Sequence, residues 1–154
     1  MTVALRPITD ADLPILFEIY AGTRAEEVAQ VTWWDDEQKR AFLFQQFAAQ
    51  HQYYLQNYIN SSFDVITRED SVIGRLYVAR WENQLRIIDI AFLPAHRGKG
   101  IGTGLVQGLL AESRERGVPL TIHVEQNNPA LQWYQRLGFR MVEDKGVYFL
   151  LKAV

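Results

Sequence analysis

Six consecutive residues, Arg97-Gly98-Lys99-Gly100-Ile101-Gly102, lie between an apolar run that closes at Pro94 and an amphipathic stretch that opens at about Ile101. Residue types in this order build a site for a diphosphate. Glycines let main-chain N–H groups come close to a ligand. The first turn of a helix adds N–H groups with no intrahelical partner and the positive end of the helix dipole. Arg97 and Lys99 add charge of the matching sign. Two other phosphate loops do not fit the spacing. A Walker-type loop needs a glycine five residues before its Gly-Lys pair and Ser or Thr after it, where this chain has Leu93 and Gly100. A dinucleotide fingerprint needs a glycine at its sixth position, which is Thr103 counted from Gly98 and Leu105 counted from Gly100. What is left is the pattern Arg-x-x-Gly-x-Gly.

The chain has 154 residues, enough for one domain around one core, and a single domain over residues 1–154 is expected. Apolar residues make up 48% and charged residues 22%, a globular mixture without a disordered signature. The net charge of −2 exerts no global pull on nucleic acid, so no nucleic-acid partner is expected and any basic site is local. There is no cysteine, which excludes disulfides, thiolate metal sites and a cysteine acyl intermediate. His51 and His96 lack the spacing of metal ligands, and no metal is expected. The first residues do not read as a signal peptide and no run reaches the roughly 20 apolar residues of a membrane span. The expectation is a cytoplasmic protein with no membrane partner.

The elements that must position the loop follow from periodicity. Val3 to Ile8 reads as a strand, and Thr9 with Asp12 resembles a capping box opening a helix that buries Leu13, Leu16, Phe17 and Tyr20. A second helical region spans about Asp36 to Tyr58, with Leu43, Phe47 and Tyr54 on one stripe; its length suggests a break near Gln50. Phe63 to Thr67, Val72 to Trp81 and Leu85 to Leu93 read as a meander of three strands. The helix from Ile101 buries Ile101, Leu105, Val106, Leu109 and Leu110 and stops at Gly117. Leu120, Ile122 and Val124 mark a fifth strand, so strand, helix and strand form a parallel crossover. Asn128 as cap and Pro129 at the first helical position open a helix through Leu137, and Arg140 to Glu143 with Val147 to Lys152 close the chain as a hairpin. The fold expected is α+β, a central mixed, mostly antiparallel sheet of about seven strands with helices on both faces.

The stretch Asn127-Asn128-Pro129-Ala130-Leu131-Gln132-Trp133-Tyr134-Gln135-Arg136-Leu137-Gly138-Phe139 carries Asn-x-x-Ala, then an aliphatic residue, a Tyr and Leu-Gly-Phe. With Arg-x-x-Gly-x-Gly one helix and one strand earlier, it resembles the GNAT N-acetyltransferase superfamily. The likeness covers essentially the whole chain, strongly from Leu85 to Phe139 and weakly from Thr23 to Asn60. It implies an enzyme that moves acetyl from acetyl-CoA to a primary amine by direct attack in a ternary complex, and a splayed cleft between the fourth and fifth strands. By the same likeness the backbone of Arg97, Gly98, Lys99, Gly100, Ile101 and Gly102 would hold the pyrophosphate. Ile90, Ala91 and Phe92 would offer main-chain groups to the pantetheine arm, and Asn127 would bond it from the far side, with Asn128 one register away.

Tyr134 is the candidate acid, because a phenol can hydrogen-bond or protonate the departing thiolate. Asp89 inside the run Ile87-Ile88-Asp89-Ile90 is a candidate base for the ammonium proton, with Glu125 and His123 as alternatives and an ion pair with Arg86 or Arg75 as the structural reading. Trp33-Trp34 with Tyr53-Tyr54 line an acceptor pocket or form plain core. A homodimer through the C-terminal strands would bury Val147, Phe149 and Leu151. The alternative function is a degenerate CoA-binding sensor or scaffold without turnover.

Overall fold

The computed structural model describes residues 2–154. Its strands are β1 (Val3–Pro7), β2 (Ser62–Arg68), β3 (Ser71–Arg80), β4 (Leu85–Phe92), β5 (Leu120–Glu125), β6 (Arg140–Asp144) and β7 (Tyr148–Ala153). Its helices are α1 (Leu13–Thr23), α2 (Ala25–Ala29), α3 (Asp36–Asn57), α4 (Ile101–Arg116) and α5 (Leu131–Arg136). The strands form one mixed sheet in the order β1-β2-β3-β4-β5-β7-β6. Pairing is parallel for β4 with β5, and antiparallel for β1 with β2, β5 with β7 and β6 with β7. The α+β mixed sheet expected from the sequence is therefore present. The chain condenses into two units: one runs up to Leu76 and takes in Ala91–Arg97, the other holds Tyr77–Ile90 and Gly98–Val154.

In the first unit, the entry to α1 is fixed by Asp12. Its carboxylate accepts two bonds from the Arg6 guanidinium, each 2.9 Å, and the Thr9 N–H at 2.8 Å, which completes the capping box. A short 3-10 turn, Asp10–Asp12, precedes the α-helix proper. From α1, Leu16, Phe17, Ile19 and Tyr20 pack with Leu43 and Phe47 of α3, Val65 of β2 and Ala91. The Phe17 ring meets Phe44 edge-on at 5.4 Å and lies 5.8 Å from Phe47. The break expected near Gln50 is absent: α3 runs uninterrupted for 22 residues. Nothing between Asp36 and Asn57 breaks a helix, since the stretch has neither Pro nor Gly. Gln50 instead faces inward, its Oε1 accepting from Nη2 of the buried Arg75 at 2.8 Å.

In the second unit, Ile101, Val106, Leu109 and Leu110 of α4 are buried, as are Leu120, Ile122 and Val124 of β5, while Leu105 is half-buried. Gly117 closes α4 with a φ of 68°, and Glu112 pairs with Arg80 at 2.8 Å and with Arg116 at 3.0 Å. The last helix begins later than its sequence suggested. Asn128 Oδ1 accepts the Ala130 N–H at 2.8 Å, holding Pro129 in a turn, so α5 opens at Leu131 with Ala130 as its cap. Leu151 is fully buried where it pairs with Ile122, so of the three residues proposed for a dimer face only Val147 is exposed.

The Arg6 guanidinium, with the Thr9 amide, pulls the Asp12 carboxyl down to about 2, against the opposing effect of burial. Its lowered value stabilises the fold above the ordinary carboxyl value of 3.8, and that contribution fades as pH falls toward about 2. Asp12→Asn is therefore expected to lower the melting temperature at neutral pH, with the two proteins converging across that acid range. Calorimetric scans of both at a series of pH values check this; a constant gap down to the acid limit would overturn it.

Candidate functional site

In the first unit, a 3-10 turn at Pro94–His96 leads into Arg97, whose N–H donates to the Pro94 carbonyl at 3.3 Å and whose Nε donates to the Phe92 carbonyl at 3.2 Å. The Arg97 amide is thus engaged. In the second unit, Gly98 has a φ of 73° and Gly100 a φ of 79°, both left-handed, with Lys99 between them outside that region. Alternation of this kind turns successive N–H groups toward one concave point, a nest for an anion. A Cβ at either glycine would meet nothing within 4 Å, so backbone conformation, not space, calls for glycine here. Gly100 is the cap of α4 and has no side chain to satisfy the helix start. The first turn-closing bond is Gly104 N–H to the Gly100 carbonyl at 3.1 Å, so the N–H groups of Ile101, Gly102 and Thr103 have no carbonyl four residues back. Ile101 is buried and anchors the turn.

β4 and β5 are paired only at Leu85 with Leu120, Arg86 with Thr121 and Ile87 with Ile122. Beyond Ile122, β5 continues against β7 as far as Glu125 with Tyr148. The β4–β5 register thus ends at Ile87, and the next residues of β4, Ile88, Asp89 and Ile90, are half-buried. An amide-bearing chain can add to a strand edge as a strand does. In the first unit, Ala91 is buried and Phe92 half-buried. They are held by close packing: a Cβ on Gly74 would sit 2.4 Å from the Ala91 carbonyl oxygen and 3.2 Å from the Phe92 Cα.

Tyr134 projects from α5 into the second unit, only 4% exposed, with the Trp133 ring at 4.8 Å and the Phe139 ring edge-on at 5.6 Å. Phe139 N–H donates to the Tyr134 carbonyl at 3.1 Å, closing the helix before its chain turns away. Burial pushes the phenol well above its ordinary value, and the negative charge of Asp89 adds to the rise. Asp89 and Tyr134, predicted separately, therefore act on one another. Asn128 is spent on its turn, and exposed Asn127 is the asparagine whose side chain is not.

His123 lies elsewhere in role. Its Nδ1 sits 3.2 Å from Arg86 Nη1, and burial, then the Arg86 charge, push its pKa below the ordinary value. A neutral ring accepting there carries its proton on Nε2 and has no lone pair left for a substrate. The same arginine donates to Thr121 Oγ1 at 2.7 Å and lies over the Trp81 ring. The aromatic residues of α3 and its approach do not assemble. Trp34 packs on Phe42 at 5.3 Å and Tyr54 on Tyr58 at 6.1 Å, whereas Phe42 and Tyr53 are about 16 Å apart along the helix. Trp33 is 76% exposed, which excludes plain core. Sequence reasoning missed Gly74, and it missed the bond from Trp133 Nε1 to Thr103 Oγ1 at 2.9 Å, which joins α5 to the first turn of α4.

The model of the Acetyltransferase (GNAT) family matches residues 25–139. The chain belongs to this family. Streptothricin acetyltransferase of Streptomyces lavendulae is 44% identical over 61 residues, 38% of this chain and 32% of that protein. The [ribosomal protein bS18]-alanine N-acetyltransferase of Haemophilus influenzae is 27% identical over 85 residues, 54% of this chain and 58% of that protein. The matches to these curated relatives thus span 32% and 58% of their lengths. In fold, the chain resembles the PaiA N-acetyltransferase of Thermoplasma acidophilum, solved in complex with coenzyme A, with a TM-score of 0.73, 16% identity and 99% of both chains covered. The matched GNAT region takes in the glycine loop, the end of β4, Asn127 and Tyr134.

Gly74→Ala is expected to drive the new methyl against the Ala91 carbonyl and to destabilise this GNAT chain by about 1–3 kcal/mol. A urea denaturation midpoint equal to that of the unaltered protein would show that the strands part there without strain.

Proposed function

We propose that the chain is an N-acetyltransferase that transfers acetyl from acetyl-CoA to a primary amine, within one domain spanning its residues. The observation that carries the reading is the left-handed Gly98 and Gly100 pair at the start of α4, together with a β4–β5 register that ends at Ile87 and Ile122. A pyrophosphate is held by the amides of Gly98 to Gly102, with Lys99 as counter-charge and Arg97 bracing the loop from Phe92. Ile90, Ala91 and Phe92 pair with the amides of the pantetheine arm, and Asn127 bonds it opposite. Coenzyme A in the PaiA structure supports this choice of donor.

The amine nitrogen attacks the thioester carbonyl carbon directly, the C–S bond breaks, and the products are an amide and CoA. No enzyme acyl group is needed, in keeping with a chain that has no cysteine. A main-chain N–H of the β4 edge meets the developing oxyanion. An ammonium with pKa near ~10 must lose a proton before or during attack. Asp89 takes it, directly or through water, since it is the half-buried carboxylate on β4 beyond Ile87. Tyr134 stays protonated at any working pH. Because its phenol is a weaker acid than a thiol of about 8.5, it stabilises the leaving thiolate as a hydrogen-bond donor, and solvent completes the protonation. The acceptor amine belongs to a small molecule or to a protein, the two kinds for which the curated relatives are named. No helix among the described residues is long and apolar enough to cross a membrane, which fits a cytoplasmic enzyme acting on dissolved amines.

Two measurements test this. Calorimetric titration with CoA should give saturable binding, and its absence at millimolar CoA would remove the donor assignment. Tyr134→Phe should lower kcat for amine-dependent CoA release by about 100-fold while leaving the KM for acetyl-CoA within about twofold. An unaltered protein that binds CoA but releases none with any of a panel of amines and peptides would be a sensor or scaffold, not an enzyme.

A further inference from the structure

A hydrogen bond between residues 30 positions apart, from the Trp133 indole to the Thr103 hydroxyl at 2.9 Å, connects two parts of the second unit that the sequence keeps separate. Thr103 belongs to the first turn of α4, and its own N–H is one of the three there that lack an intrahelical acceptor. Trp133 belongs to α5, directly before Tyr134, and its ring lies 4.8 Å from the phenol ring. An indole has one N–H and accepts nothing, so the direction of the bond is fixed: the threonine oxygen accepts, and its O–H proton points away from the indole. Moreover, α5 is six residues long. A helix this short does not hold itself in place through its own backbone bonds, so side-chain ties decide where it sits. One tie is the packing of Phe139 on Tyr134; the other is Trp133 to Thr103.

We propose that Trp133 is a positioning residue that clasps the anion-binding turn of α4 to the helix bearing Tyr134, so that an occupied turn and a correctly placed phenol are one event. This inference rests on the CoA reading above. Binding of a pyrophosphate at the turn reorients the Thr103 hydroxyl or draws in its amide. The indole follows the oxygen to which it donates, and Tyr134 moves with its neighbour. A tryptophan that only filled space would be indifferent to what occupies the turn.

The test uses the full chain labelled with 15N and CoA as the probe. The chain has four tryptophans, and Trp133→Phe identifies which indole N–H signal belongs to position 133. Saturating CoA should shift that signal together with the backbone signals of Gly102 and Thr103. Thr103→Val, which keeps the shape and removes the hydroxyl, should abolish the indole response and weaken CoA about fivefold, the cost of one hydrogen bond. Thr103→Ser should restore both. The clasp is overturned if the indole signal stays still while the Gly102 and Thr103 amides move, or if Thr103→Val responds as the unaltered protein does. If no signal moves at any CoA concentration, the donor assignment itself fails and the clasp falls with it.

Discussion

Helix α4 begins with N–H groups that its own geometry cannot satisfy, and nearly everything around it is arranged to keep them so. A serine or aspartate at the cap would consume one of them, as Asp35 does at α3, where its side chain accepts the Gln38 N–H at 2.7 Å. Gly100 occupies that place in α4 and has nothing to offer. The left-handed turn that puts it there favours a residue without a Cβ, and Ile101, the first residue of the helix, is buried. N–H groups exposed in this way are open to water, and an anion can take the water's place. The occupant proposed for them is the pyrophosphate of CoA.

The second constraint is the parting of β4 from β5. Parallel strands ordinarily pair along their common length, yet here the pairing lasts three residues, while β5 pairs with β7 from Leu120 to Glu125. Beyond the last paired residues, β4 carries the half-buried Asp89, whose charge acts on the buried Tyr134 phenol. Neither feature alone specifies a thioester carrier. A charged linker followed by an amide-rich arm, however, matches the loop and the end of β4 in turn, and the family membership of the chain agrees with that match.

Much of this was legible before any coordinates. The spacing of Gly98, Gly100 and Gly102 marks the loop in the sequence, although it reads there as room for a ligand and not as left-handed backbone, and the periodicity of apolar residues places α4, β5 and the strands around them. Where the reading failed, the reason was physical. The length of α3 argued for a break, but without Pro or Gly there is no local cause for one. Asn128 looked like a helix cap, yet its side chain serves the preceding turn. The tryptophan and tyrosine pairs have similar chemistry but sit at different ends of a rigid rod. Arg75 reads in the sequence only as an ion-pair candidate for Asp89, and its bond to Gln50 of α3 joins residues 25 positions apart that no local pattern connects. Trp133 and Thr103 meet through tertiary structure alone, and no spacing rule reaches across an intervening helix and strand.

The tight meeting of Gly74 with the Ala91 carbonyl also bears on how such a chain can diverge. Any side chain at 74 requires the neighbouring strand to give way, so single substitutions there carry a stability cost that drift elsewhere does not. The exposed face of α3 carries no comparable restriction. Lineages built on this scaffold would then hold this meeting of strands constant while the exposed face of α3 is free to vary.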